Sequence, residues 1–310
     1  LFLQRTLGVH RKQERMKTYT LKSISVIVPT YNEPLIAQTV KSITDDLMRH
    51  TDVAFEILVI GKDESGLLDT TLPHLPLIET SEHQKGAGPA AARNLGIQEA
   101  RYDWIFFIDA DCLVLPGWSQ ALIERFEAGE SVVAGSVTLS APYDYWPLAY
   151  NVSMYHEFLP DKPAEIKKYL PTINLAIKRK VIEQVGLMNE TLARVQDYDW
   201  TIRMALAGYR LFFEPKAAIA HYPNRYTFKP VWRDWRRSGY YSRVNRLRYA
   251  DYYQSPKLLN HKWFVRLLSP LVAAYVTAGI FLRTPQLWRY THTVPAVYLT
   301  KIAWCIGASS

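Results

Sequence analysis

The chain has 310 residues, 48% of them hydrophobic and 21% charged, with a formal net charge of +8. These figures exclude a disordered or fibrous chain and leave room for one large domain, or a domain with an appendage, around a sizeable core. The two cysteines, Cys112 and Cys305, fit no zinc-ligand spacing and do not ask for a disulfide, so a reducing compartment is the default.

Residues 1–22 lack the apolar core of a signal peptide and an initiator Met, and read as an N-terminal extension, truncated or processed. "SISVIVP", residues 23–29, is a continuous Ile- and Val-rich run, as a buried parallel strand requires. "TYNE" turns, and residues 34–48 read as a helix. "FEILVIG" is a second buried strand followed by the loop "KDESG", and "PLIET" a third, shorter one. "GPAAARNLGIQEA" is helical, with Pro89 in its first turn. "DWIFFIDAD" is the fourth strand, and Pro116 opens the next helix. This alternation predicts an α/β, doubly wound, mostly parallel sheet through about residue 139, with ligands beyond the C-terminal ends of its strands. The turn after Pro29, the loop around Asp63 and the Asp109–Asp111 pair all fall at those ends.

Beyond residue 139 the pattern is mixed. Residues 169–186 read as a strand and a helix closed by Gly186. In "QDYDWTIRMALAGYRLFFEP", Asp197 and Asp199 lie at a helix N-terminus, where acids suit the dipole, and a strand follows. From Arg225 to Arg248 the chain carries eight Lys or Arg against Asp234 alone. Such a run suits a phosphorylated substrate, anionic lipid or nucleic acid, or is a solvated basic face. "LLSPLVAAYVTAGIFL" and "VPAVYLTKIAWCIGA" are apolar but short for a span of roughly 20 residues. They read as an interfacial hairpin or a packed helical pair, with edge aromatics and arginines favouring a membrane surface.

Asp109 and Asp111 raise a question of charge. Carboxylates one residue apart repel unless a cation, a basic side chain or water lies between them.

With these residues in view, "SVIVPTYNE", "KGAGPAAARNLGI", "IFFIDADCLV", "TINLAIKRKVIEQVG" and "QDYDWTIRMALAGYR" resemble, in order, the motifs of the inverting family 2 glycosyltransferases of the GT-A fold. The likeness runs from about Ser23 to His221. It implies a GT-A domain over 23–225, with its nucleotide-binding half to about 139, and a basic, then apolar, helical appendage over 226–310.

The resemblance implies a sugar-nucleotide donor, UDP first among them, a divalent Mn²⁺ or Mg²⁺, and inversion at the anomeric carbon. By it, Asp111 holds the metal and Asp109 contacts the ribose or a metal-bound water. Ala110 and Glu33 belong to the same nucleotide-sugar set. Asp197 matches the general base, although the acid that precedes it in the family is Gln196 here; Asp199 is its rival. Pro29 and Tyr31 match the turn on the base and ribose, Arg93 the nucleotide-binding arginine, and Lys85 lies near it. Asp63 or Glu64 stands where the family binds the nucleobase. His221 matches a histidine that completes the metal site. Asn174 lies where the family lines the donor-sugar and acceptor pocket, and Trp200 walls the acceptor or sits in the core. The acceptor implied is a glycan or lipid-linked hydroxyl, at the cytoplasmic face of a membrane, with an anionic membrane surface among the expected partners and nucleic acid not among them.

Three other readings compete. A nucleotidyltransferase would want a Gly-rich loop after the first strand, and "PTYNEP" has none. A nucleic-acid or membrane-binding module would not explain acids in a cleft, since acids repel phosphates without a metal. A degenerate, non-catalytic transferase rests on Gln196 and the altered "GKDESG" loop.

Overall fold

The computed structural model describes residues 22–50, 52–68, 77–79, 88–139, 144–254 and 261–310. Strand β1 (Lys22–Tyr31) pairs in parallel with β2 (Val53–Lys62) and β4 (Trp104–Ile108), and β2 pairs in parallel with β3 (Leu77–Glu79). The predicted parallel half is therefore present, in the order β3-β2-β1-β4. Beyond β4 the sheet turns mixed. β8 (Asn174–Lys178) runs antiparallel to β4 and to β6 (Val132–Thr138), β9 (Phe212–His221) pairs with β6 in parallel, and β5 (Cys112–Val114) and β7 (Glu165–Ile166) run antiparallel to β9.

Alternation along each strand feeds two cores, because successive side chains leave a strand on opposite faces. Ile24, Val26 and Val28 join Phe106 against α1 (Ile36–Leu47) and α3 (Trp118–Glu127). Ile27, with Ile105 and Phe107, packs against α2 (Pro89–Glu99), α5 (Arg179–Val185) and α6 (Gln196–Leu206). This is the doubly wound arrangement.

Helix α4 (Tyr145–Tyr155) falls in the stretch whose pattern is mixed. The basic segment forms α7 (Phe228–Arg248), followed by the short α8 (Ala250–Tyr253) and α9 (Lys262–Leu267). The apolar stretches form α10 (Ser269–Leu282) and α11 (Val294–Ala308), joined by a 3₁₀ segment, Pro285–Thr293. They pack on the rest of the protein: Ile280, Phe281 and Val297 share a buried cluster with Leu148 and Val152 of α4. Backbones of α7 and α11 touch. A Cβ on Gly239 would run into the Trp304 carbonyl, and one on Gly307 into that of Arg236, so only glycine fits at either contact. Among the described residues, no helix is long and apolar enough to cross a membrane.

Candidate active site

A cavity of about 900 Å³ opens at the C-terminal ends of the strands, and Arg93, Asp109, Asp111, Asp197 and His221 all line it. Four chain segments that the sequence singled out separately thus meet in one space. The N-terminus of α2, at Gly88 and Pro89, also faces it and turns the positive end of the helix dipole toward the cavity.

The two strand-end acids have separate partners. Asp109 is bonded by the guanidinium of Arg93, which is buried. Asp111 faces His221, with Nε2 3.3 Å from Oδ2. That neighbour is set by the sheet: β5 pairs antiparallel with β9, which puts His221 opposite Cys112. Burial pushes the Asp111 carboxyl up, but His221 and Arg225 outweigh it and hold the group below the usual carboxylate range. Glu33 shifts the other way, raised first by burial and then by the charge of Asp111.

Asn151 of α4 decides how His221 presents itself. Its Nδ2 donates to the His221 carbonyl at 3.0 Å, which turns Oδ1 toward the ring nitrogen Nδ1, 2.7 Å away. Nδ1 must then carry the proton, so in the neutral ring Nε2 points a lone pair at Asp111. Two facing acceptors repel unless a proton or a metal ion lies between them. Ligands at right angles and about 2.1 Å from one small divalent ion stand about 3 Å apart, close to this spacing. The residues therefore fit Mg²⁺ or Mn²⁺ in chemistry and in spacing. Among the described residues no group of three or more His, Cys, Asp or Glu forms a complete cage. An ion that bridges phosphates and keeps water needs only one or two protein ligands.

Asp197 sits in the first turn of α6, half-buried on the cavity wall. Its Oδ1 accepts the Tyr198 N–H at 2.9 Å. Burial raises its pKa, and Arg93, with the backbone of Tyr198 and Thr172, opposes the rise without cancelling it. The residue before α6, Val195, has φ +63°. A β-branched residue there is strained by about 1–3 kcal/mol, a feature common at functional sites. Asn245 of α7 donates to the Val195 carbonyl at 3.1 Å and holds the turn. Asp199, the rival base, is engaged elsewhere. It is fully buried and bonds Arg203, Arg248 (2.9 Å) and the Tyr249 hydroxyl (2.8 Å).

Other expected residues lie differently. Tyr31 is 62% exposed at the end of β1, Pro29 is half-buried beside Ile60, and neither lines the cavity. They border a shelf shared with the loop after β2. There Glu64 is committed to Asn32 and Lys62, whereas Asp63 takes the Leu68 N–H with one oxygen and keeps a buried Oδ1 without a partner. Of the two acids left open by the sequence, Asp63 is the one with acceptor capacity to spare among the described residues. Lys85 lies outside the described residues.

Three of the expected residues lie in the interior. Ala110 is buried, its carbonyl takes the Thr39 hydroxyl at 2.6 Å, and it acts as a spacer between the two acids. Asn174 is fully buried and bonds Trp118, Ser136 and Ala217, because its side of β8 faces the sheet interior. Trp200 is fully buried against Phe107, with its indole N–H on the Gly186 carbonyl. Sequence reasoning did not single out Asn151, Tyr150, Arg194 or Arg225. Arg194 and Arg225 share Asp234, and all but Asn151 line the cavity.

Residues 25–186, more than half of the chain, match the sequence profile of glycosyl transferase family 2. The chain belongs to this family. It has the expected α/β fold. Among its relatives is the pre-mycofactocin glycosyltransferase of Mycobacterium tuberculosis, 29% identical over 46% of this chain and 32% of that protein. Glycosyltransferase AglE of Haloferax volcanii is 27% identical over 63% of this chain and 66% of that protein. The chain thus spans about a third of the first relative's length and about two thirds of the second's. Among solved structures, the mannosyltransferase PcManGT from Pyrobaculum calidifontis, in complex with GDP-Man and Mn²⁺, shares the fold. Its TM-score is 0.59, at 19% identity, covering 94% of this chain and 88% of that one. GalNAc-T7, solved with UDP, GalNAc and Mn²⁺, has a TM-score of 0.53 at 16% identity, covering 76% and 52%.

Proposed function

We propose that the chain is an inverting, metal-dependent glycosyltransferase. It moves a sugar from a nucleotide-diphosphate donor, UDP-linked in the first instance, to a hydroxyl of a glycan or lipid-linked acceptor in polysaccharide, glycolipid or cell-surface glycan assembly. The observation that carries this reading is the shared cavity of Asp197 and the Asp111–His221 pair. A base and a place for a charged leaving group are the two requirements of an inverting displacement.

Asp197 accepts the acceptor hydroxyl's proton as its oxygen bonds to the anomeric carbon and the bond to the diphosphate breaks. Its raised pKa makes it a stronger base than an exposed carboxylate. Arg93 and the α2 N-terminus face the diphosphate side, and Asp63 offers its free oxygen to a nucleobase N–H. Asp111 and His221 would hold Mn²⁺ or Mg²⁺, with Glu33 close by. Such an ion supplies charge neutralisation to the departing diphosphate.

Thermal unfolding with UDP, GDP, dTDP and CDP, each with and without Mn²⁺, tests the reading. A diphosphate at 100 times its Kd stabilises by about 2.7 kcal/mol. We expect a shift of roughly 5 °C with one nucleotide and only when Mn²⁺ is present. No shift with any pair would sink the proposal.

The reading also sets the enzyme at the cytoplasmic face of an anionic membrane. Supporting it, Trp263, Leu267, Leu271, Tyr275, Leu282 and Trp288 are all at least 59% exposed along α9, α10 and the 3₁₀ segment. Residues 262–310 carry five Lys or Arg and no Asp or Glu. Vesicles of phosphatidylcholine and phosphatidylglycerol should carry the protein upward in a flotation gradient, and Leu271→Asp with Tyr275→Asp should abolish this. Equal flotation of the double variant would remove the proposed face.

A further inference from the structure

The cavity does not stop at the reacting centre. It continues between α7, α10 and α11, where Arg237, Trp235, Val272, Val276, Lys301 and Trp304 line it. Aromatic rings connect the two parts. The Tyr150 ring lies 6.4 Å from that of His221 and 6.4 Å from that of Trp235, and the Lys301 ammonium lies 4.2 Å from the centre of the Trp235 ring.

The far lobe combines two chemistries. Its polar side is cationic. Lys301 donates to the Ser153 carbonyl at 3.0 Å and makes no ion pair among the described residues, and its enclosure pulls the ammonium pKa down to about 7. Glu157, the acid whose charge acts on it, is engaged by the Tyr169 hydroxyl at 3.0 Å. The indole N–H of Trp235 is buried without a partner, a state that buried donors rarely keep. An anion at this place would satisfy both groups. The other side is apolar: Val272 and Val276 belong to α10, and Val276 emerges beside the exposed Leu271 and Tyr275. The lobe thus opens onto the apolar surface of α10.

We infer that the far lobe is a lipid-phosphate site, which makes the acceptor a sugar hydroxyl carried on a phosphorylated lipid. Lys301, Arg237 and the Trp235 N–H hold the phosphate. Val272, Val276 and Trp304 hold the first part of the chain, which leaves along α10. The carried sugar points past Tyr150 toward Asp197. This deepens the proposed transferase reading and rests on it.

The test uses the full chain and tryptophan fluorescence, titrated with dodecyl phosphate below its micelle concentration, and with dodecanol and inorganic phosphate beside it. The proposal expects saturable binding of dodecyl phosphate at least 10-fold tighter than of either comparison compound. Lys301→Gln and Arg237→Gln should each weaken it at least 10-fold, with the nucleotide-dependent thermal shift unchanged. Arg237 is exposed, so its variant tests the site even if Lys301→Gln fails to fold. Val276→Glu should block the chain and leave inorganic phosphate binding as it was. Equal binding of dodecanol would remove the phosphate site, and equal binding of inorganic phosphate would remove the lipid part. A nucleotide shift without dodecyl phosphate binding overturns the lobe alone. Absence of the nucleotide shift from the unaltered chain overturns the transferase reading instead.

Discussion

Asp197→Asn should lower kcat by about 10²–10⁴-fold, the usual contribution of a positioned base, while leaving the thermal shift by nucleotide diphosphate and Mn²⁺ intact. The amide keeps the shape and can still accept the Tyr198 N–H, but it cannot take a proton from an acceptor hydroxyl. Burial raises the Asp197 pKa, so the folded protein holds this proton more tightly than the unfolded chain does. The group therefore costs stability above its folded pKa and costs none below about pH 4, where both states are protonated. The variant should unfold at the same temperature or a higher one near neutral pH, and the difference should vanish in acid. In the unaltered enzyme, kcat/KM should fall with decreasing pH through a pKa above the range of exposed carboxylates. A variant with more than a tenth of normal turnover would remove Asp197 from the role of base.

Asp111→Asn should cost roughly 10³-fold or more in activity, since several kcal/mol of charge stabilisation at the diphosphate is lost. The decisive readout is the ligand-induced shift, which should disappear with Mn²⁺ and nucleotide. Absolute stability is a poorer guide. The Asp111 pKa is depressed, so its ionised form stabilises the fold at neutral pH and loses that effect as pH falls through the folded pKa. The variant alone should then be somewhat less stable at neutral pH. A full metal-dependent shift in this variant would place the ion elsewhere.

What could be read from the sequence was local. β1, β2 and β4 announce themselves as apolar runs because both of their faces are covered, and acids at the end of such a run have only the crevice to face. Asp109 and Asp111 are legible on that logic, and Asp197 only through the family likeness. Long-range pairing was not legible. Nothing in "CLV" shows that it runs antiparallel to β9 and so puts Asp111 beside His221. Asn151 gave no signal, since one amide in an aromatic-rich helix has no period to mark it. The basic run read as a surface feature, yet Arg248 reaches the buried Asp199 and Asp234 gathers Arg194 and Arg225. The burial of Asn174, and the choice between acceptor wall and core for Trp200, could not be read for one reason. A residue's neighbourhood in the chain does not tell which side of its strand or helix faces inward, and both face the core.

Helix α7 bears on how such enzymes can be recombined. Its Asn245 holds the strained turn that leads into Asp197, its Arg248 neutralises Asp199, and its Gly239 seats α11. The segment that follows the family-matched residues is therefore part of what positions Asp197, the proposed base, not an exchangeable module behind it. Grafting the C-terminal third of a relative onto this sheet would carry over a new acceptor wall only if the graft also supplied those three contacts. Acceptor preference and base placement should then be inherited together, as one unit of descent.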